Sequence, residues 1–331
     1  MNIAKIDAIP ESLHDRTRAA FAATFGSTPV TVVGPVTGGA SRALAFRLQA
    51  SERDYVLRLE GPRTPLRNPH QYTCMRIASD AGIAPSLLHA DDASGVLIMD
   101  FVPHRPLSEY PGGPAGLASA LGILARNLQD SAQFPALGDY RDFVTRMLEH
   151  VRGLYAPGLL DAHIEGFARI RAACPWNATT HVSSHNDPNP RNILFDGERL
   201  WLIDWETAYR NDKLVDVAIL AENLAPTPEL ETILLQSWLS APPDKDVRRR
   251  LVLVRLMTRM YYASLLSLRS LSPQAPLQNL DAPSPEQFKA MLASGELKPG
   301  AAGLTLARML LASFKTGVES PEVRTILAAY S

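Results

Sequence analysis

The residues that could do chemistry concentrate in one stretch, residues 184–206, which reads SHNDPNPRNILFDGERLWLIDWE. Residues 193–195 and 200–203 are apolar runs joined through Asp196 and Gly197, a pairing that favours a tight β-hairpin. An antiparallel hairpin sets the start of its first strand beside the end of its second. Asn192 and Asp204 should therefore lie side by side although they are far apart in the chain. An amide and a carboxylate oxygen brought together suit a hard cation such as Mg²⁺, which takes one or two protein ligands and completes its shell with water and phosphate. Asp187, in a loop stiffened by Pro188 and Pro190, could project toward the same point. There it would orient and deprotonate a substrate hydroxyl while the metal neutralises charge on a transferred phosphoryl group. Each of these residues alone reads as a turn, a cap or a solvated polar group. The set at this spacing points to phosphoryl transfer.

Such a hairpin needs elements to position it. Residues 12–25 form an amphipathic helix opened by a capping-box-like Ser12 and Asp15. Residues 30–33, 43–49 and 54–59 are short, β-branched or alternating runs separated by glycine, serine or charged turns, the pattern of an antiparallel sheet. A helix over 70–81 ends at Gly82 as at a C-cap glycine, and residues 96–101 read as another strand. Beyond Val102 the texture is helical, with candidates at 115–129, 140–154, 159–172, 213–224, 228–239 and 246–270. Residues 271–285, LSPQAPLQNLDAPSP, lack periodicity and read as a surface excursion. The plan is α+β: a small β-rich part, residues 1–101, and a larger helical part, residues 102–331, with a ligand expected between them.

The β-rich part offers a phosphate end. Gly38 and Gly39 fall between two candidate strands, where backbone N–H groups can approach phosphates, and Ser41 adds a hydroxyl. Val56 and Arg58 share one face of strand 54–59 because side chains alternate, which aims an apolar contact for a base and a cation for phosphate into one cleft. The plain alternatives are a hairpin turn and a surface arginine.

Composition narrows the class by exclusion. The 331 residues carry 33 Lys and Arg against 34 Asp and Glu, with no long run of one sign, so no electrostatic argument favours a nucleic-acid partner. Arg248, Arg249, Arg250, Arg255 and Arg259 are flanked by Asp244 and Asp246 and read as a solvated helix face. Two isolated cysteines, Cys74 and Cys174, make neither a disulfide framework nor a zinc cluster, which suggests a reducing compartment. Residues 1–16 lack the apolar stretch of a signal peptide, and the weakly polar run 116–125 falls short of the roughly 20 residues of a spanning helix. The expectation is a cytoplasmic chain with no membrane segment.

The pattern His185-x-Asp187-x-x-x-x-Asn192, followed by Asp204 after an apolar strand, resembles the catalytic and metal loops of the choline/ethanolamine kinase and aminoglycoside phosphotransferase group. GGAS at 38–41, YVLR at 55–58, GIAP at 82–85, LIMDF at 97–101 and Asp216 extend the likeness over most of the chain, and HND at 185–187 with IDWE at 203–206 leans toward the choline/ethanolamine side. The resemblance implies a bilobal protein-kinase-like fold, with a small antiparallel sheet lobe carrying a helix and a larger helical lobe. It implies ATP and Mg²⁺ as cofactors, Asp187 as catalytic base, Asn192 and Asp204 as metal ligands, and His185 as a brace for the loop. It further implies that Gly38, Gly39, Ser41, Val56 and Arg58 hold the nucleotide. The partner is then a small-molecule hydroxyl acceptor, a cationic amino alcohol first among the candidates, with Trp205, Glu206 and Tyr209 near it. Trp238, Tyr261 and Tyr262 either pack between helices or face the acceptor. Asp212, Asp216 and Glu222 would serve a polycationic aminoglycoside, although Arg210 and Lys213 stand among them, and Asp216 reads as well as a loop-bracing carboxylate.

Three positions depart from the family pattern. The helix at 70–81 offers His70, Gln71 and Thr73 where an acid should hold Arg58, so that ion pair is missing or rerouted. Arg42 replaces an asparagine, and Gln129 stands where relatives carry a histidine. The missing acid opposite Arg58 and the atypical Arg42 motivate a second reading, a non-catalytic nucleotide-binding or scaffold protein on the same fold. A metal-dependent hydrolase would need more ligands than His185, Asp187 and Asp204.

Overall fold

The structure is a computed structural model that describes residues 6–36, 43–61 and 68–330. Gly38, Gly39, Ser41 and Arg42 lie outside the described residues. Along the chain run α1 (His14–Phe25), β1 (Thr31–Pro35), β2 (Leu44–Ala50), β3 (Arg53–Leu59), α2 (Gln71–Asp80), β4 (Leu87–Asp91), β5 (Val96–Asp100), α3 (Gly113–Gln129), α4 (Tyr140–Arg152) and α5 (Asp161–Ala173). There follow β6 (Val182–Ser184), β7 (Ile193–Phe195), β8 (Leu200–Leu202), β9 (Tyr209–Asn211), α6 (Leu214–Leu224), α7 (Pro228–Leu239), α8 (Lys245–Ser270), α9 (Pro285–Ala293), α10 (Pro299–Val318) and α11 (Pro321–Tyr330). The architecture is the expected α+β one, an antiparallel sheet followed by helices.

Two compact units divide the chain: Met1–Leu137 with Val182–Arg210 and Asn223–Pro242, and Gly138–His181 with Asn211–Glu222 and Pro243–Ser331. In the first, five antiparallel strands run in the order β1-β2-β3-β5-β4. Their alternation sorts side chains onto two faces. Phe46, Leu48, Tyr55, Leu57, Leu59, Val96 and Ile98 form a core with Ala20 and Phe21 of α1. The register pairs Ala45 with Arg58, Arg47 with Val56, and Val56 with Met99, so these residues line the opposite face. Each large aliphatic group buried under α1 stabilises by about 1.5–3 kcal/mol, and this one-sided core leaves the Val56 and Arg58 face for other work.

Local chemistry differs from expectation at a few places. The capping box at Ser12 does not form: residues Glu11–Leu13 make a 3-10 turn after Pro10, which takes up Ser12, and α1 starts at His14 with no side-chain cap. Strand β4 is a further element, too short and polar in LLHAD for its alternation to stand out. Gly82 closes α2 as expected: it adopts φ 69°, its N–H reaches Ser79 O at 2.9 Å, and the next N–H, of Ile83, reaches Ala78 O at 2.8 Å.

Within the same unit α3 and α7 pack closely, and the contact turns on Gly122. A Cβ there would stand 2.3 Å from the Leu234 carbonyl oxygen and 2.9 Å from the Trp238 nitrogen. The approach lets Trp238 Nε1 donate to Gln129 Oε1 at 2.9 Å, so this tryptophan is a buried packing residue and Gln129 its acceptor.

In the second unit α8 packs along α10 and α4. It is the one helix among the described residues long and apolar enough to cross a membrane, and 61% of its apolar window is buried within the protein. Tyr261 lies in a ring cluster with Tyr140, Phe143 and Tyr262. Residues 271–284 contain no helix or strand, yet Leu277 anchors them, donating to Leu154 O at 3.0 Å and accepting from Ala156 N at 2.9 Å. Helices α9, α10 and α11 follow, elements beyond those read from the sequence.

Gly122→Ala should lower unfolding free energy by about 1–3 kcal/mol, the usual cost of overpacking, measured by denaturant titration. Unchanged stability would contradict the close approach of α3 and α7.

Candidate functional site

Strands β7 and β8 pair with Ile193 opposite Leu202 and Phe195 opposite Leu200. The turn between them is built by Asp196, whose Oδ1 accepts from the Glu198 and Arg199 amides, both at 2.8 Å, and whose Oδ2 accepts from Trp201 Nε1 at 2.7 Å. One step past the strands, Ile203 N donates to Asn192 O at 3.0 Å, which puts Asn192 and Asp204 at one end of the hairpin. Leu202 N donates to Ile83 O at 2.9 Å, so the segment GIAP anchors the hairpin to the end of α2.

The loop before β7 is held from several directions. His185, fully buried, donates from Nε2 to Ile203 O at 2.9 Å and packs against the Trp205 ring with centroids 4.6 Å apart. Asn186 adopts φ 63°, a conformation reserved mainly for glycine and asparagine. Its Nδ2 donates to Thr207 O at 3.0 Å and Tyr209 O at 3.3 Å, while its Oδ1 accepts from Ser184 Oγ at 3.0 Å. Asp187 is fixed in turn: Oδ1 accepts from Asn189 Nδ2 at 2.8 Å, and Asn192 Nδ2 donates to both its carbonyl, at 2.9 Å, and its Oδ2, at 3.2 Å.

Arg58 joins this loop to the sheet. Its Nη1 donates to Asp204 Oδ1 at 2.8 Å, its Nε donates to Glu60 Oε1 at 2.8 Å, and its Nη2 lies 3.8 Å from Glu206 Oε2. The acid that α2 lacks is thus replaced from the residue just past β3, and Gln71, the first residue of α2, donates to the same Glu60 Oε1 at 3.2 Å. The ion pair is rerouted, not missing. Asn68 and Cys74 tie α2 to the Ala208 carbonyl, which steadies the segment carrying Glu206.

The electrostatics follow from one cation among several acids. Burial works against the charge on Arg58, but Asp204, Glu60 and Glu206 outweigh it and raise its pKa above the ordinary arginine range. Burial also raises the Glu206 pKa, and the charges of Asp204, Glu60 and Asp187 add to that against the opposing pull of Arg58. This donor set fits a hard divalent cation. Among the described residues no donor reaches Asn192 Oδ1 or Asp204 Oδ2, and the local excess of carboxylates calls for positive charge. No cluster of three or more His, Cys, Asp or Glu able to hold a metal occurs among the described residues, so the chain offers a partial shell and not a closed cage.

Asp187, Asn192, Asp204, His185 and Arg58 thus come together, with Val56 on the face that carries Arg58. Of the three residues considered for the acceptor, Trp205 and Tyr209 are buried, Trp205 at 1% exposure, and Glu206 alone reaches solvent with 49% of its side chain exposed. Asp216 is buried in the first turn of α6. Glu60 and Asn189 are not singled out by the sequence, while Gln71 stands there only as a departure from the family pattern and Asn186 only as the middle residue of HND. Only Glu60 carried a usable signal, since it stands two residues after Arg58, where alternation returns to the same face.

A sheet-and-hairpin unit with this loop defines a phosphotransferase of the kinase-like fold. Residues 32–251 match APH, the phosphotransferase enzyme family, and the chain belongs to it. A choline/ethanolamine kinase family protein from Mesorhizobium loti is 23% identical, covering 96% of this chain and 99% of its own, with a TM-score of 0.66. Spectinomycin phosphotransferase, APH(9)-Ia, solved with ADP and spectinomycin, is 12% identical, covers 89% of this chain and 98% of its own, and has a TM-score of 0.53. Both are likenesses of fold. An uncharacterized protein of Metamycoplasma hominis is 34% identical over 101 residues, 30% of this chain, and the match spans 20% of that relative's length.

Asn186→Gly should destabilise the protein less than Asn186→Ala, because alanine loses the same hydrogen bonds and also pays about 1–2 kcal/mol for the left-handed backbone. Equal or reversed midpoints of denaturant unfolding would contradict the account of this loop.

Proposed function

We propose that this chain is an ATP- and Mg²⁺-dependent kinase that phosphorylates a hydroxyl of a small molecule, with a choline- or ethanolamine-like amino alcohol as the leading acceptor class. The observation that carries the reading is the convergence of Asp187, Asn192 and Asp204 on one hairpin end, with Arg58 reaching Asp204. Asp187 Oδ2 accepts the proton of the acceptor hydroxyl as that oxygen bonds to the terminal phosphorus of ATP. The bond to the bridging oxygen breaks, and ADP leaves with the electron pair. Asn192 and Asp204 would hold Mg²⁺, which supplies charge neutralisation at the phosphates. Arg58 binds phosphate oxygens, and Val56, with Gly38, Gly39 and Ser41, holds the rest of the nucleotide. In this reading residues 1–101 carry the nucleotide contacts, and residues 102–331 carry catalysis and the acceptor.

The choline/ethanolamine kinase family neighbour supports the amino-alcohol class, and the spectinomycin enzyme, solved with ADP, supports nucleotide use and keeps aminoglycosides as the alternative acceptor. Glu206, half exposed and acidic, favours a cationic acceptor over an anionic one. The non-catalytic reading rests on a missing acid opposite Arg58 and on Arg42; Glu60 stands in the first role, and Arg42 lies outside the described residues. Two free buried thiols suit a reducing, cytoplasmic setting.

A panel of choline, ethanolamine, thiamine, aminoglycosides and sugars, assayed for ADP release, identifies the acceptor. On the best of these, Asp187→Asn should lower turnover by roughly 10²–10⁴-fold, the usual contribution of a positioned base, with nucleotide binding retained. Unchanged turnover would overturn the assignment.

A further inference from the structure

The contact between Arg58 and Glu60 lies off the family pattern, and its surroundings show a built position. Glu60 is two residues after Arg58, just past the end of β3. Both side chains are largely buried, 14% and 11% exposed. The Glu60 backbone is pinned on both sides: its N–H donates to Gly95 O at 2.8 Å, and its carbonyl accepts from Arg16 Nη2 at 3.0 Å. Arg16 Nη1 donates to Ser94 O at 2.6 Å, so α1 and the turn between β4 and β5 clamp this residue together. The carboxylate then serves two donors through one oxygen, Arg58 Nε at 2.8 Å and Gln71 Nε2 at 3.2 Å.

We infer that Glu60, supported by Gln71, is the positioning residue that aims Arg58 at the phosphates, taking over from the end of the strand the task an acid on α2 would perform. The inference rests on the kinase reading above. Arg58 is held at two points, Nε by Glu60 and Nη1 by Asp204. If Asp204 is to serve a metal, the Nη edge must exchange that carboxylate for phosphate oxygens while the side chain keeps its rotamer. A second carboxylate on the Nε side allows the exchange, because the guanidinium stays anchored and paired throughout. Gln71 acts through Glu60, its amide selecting the carboxylate orientation and linking α2 to the strand. Glu60 touches neither a substrate nor a reacting atom, so its effect belongs in nucleotide affinity more than in the chemical step.

Isothermal titration of ATP with Mg²⁺ into Glu60→Gln should show affinity weakened by about tenfold, the scale of one lost charge-assisted hydrogen bond. The KM for ATP should rise in step, and kcat should change less. In Glu60→Gln/Gln71→Glu a carboxylate returns from the neighbouring helix position, and most of the affinity should return. Wild-type affinity in the single variant, or no recovery in the double one, would overturn the inference. If Glu60→Gln does not fold, Gln71→Ala carries the test, with an affinity loss of roughly threefold expected and wild-type affinity overturning the inference. A wild-type protein that binds no ATP and phosphorylates no acceptor would overturn the kinase reading itself, an outcome distinct from unaltered binding in Glu60→Gln.

Discussion

The largely buried pair between Arg58 and Asp204 is the constraint on which the site depends. It joins the end of a strand to the end of a hairpin 146 residues later in the chain. Removing one partner of a largely desolvated pair leaves a charge poorly compensated, whereas the intact pair adds little net stability over an apolar contact. The pair is therefore better understood as specifying geometry than as holding the fold together. Its position demands that β3 present Arg58 on one face while the hydrophobic set of the same strand goes to the other. A register slip of one residue would bury the guanidinium under α1 and send Leu57 and Leu59 to the site.

The hairpin end meets a matching demand. Asp204 sits at φ 65° and Asn186 at φ 63°, both in a region that costs most side chains free energy. The surroundings enforce these angles through His185 on Ile203 and through Asn186 on Thr207 and Tyr209, with Trp205 buried beneath. Residues next to Asp187 and Asp204 thus spend their polar groups on the loop, which leaves Asn192 Oδ1 and Asp204 Oδ2 without donors among the described residues.

Much of this site was legible in the chain. Asp196 and Gly197 between apolar runs specify a hairpin, a hairpin specifies the meeting of Asn192 with Asp204, and alternation puts Val56 beside Arg58 on one face. Those inferences use only local periodicity and the two-fold logic of antiparallel pairing. What stayed hidden was tertiary. Alternation alone puts Glu60 on the face of Arg58, but that it replaces an acid on α2 depends on how the chain turns after β3. Trp205 suits a cationic acceptor by its residue type, and only the fold shows that its ring is buried and packs against His185. Helices α9 to α11 were passed over, although Ala307, Leu311, Phe314 and Val318 of α10 supply buried core positions at helical spacing.

The central claim is that Asp204 serves a metal that in turn serves a nucleotide. It is tested most directly by titrating ATP with and without Mg²⁺ into the wild-type protein and Asp204→Asn, a substitution that keeps size and tolerates the left-handed backbone. The account predicts that Mg²⁺ strengthens ATP binding to the wild type and that this strengthening is lost in the variant. An undiminished Mg²⁺ effect in Asp204→Asn would contradict it.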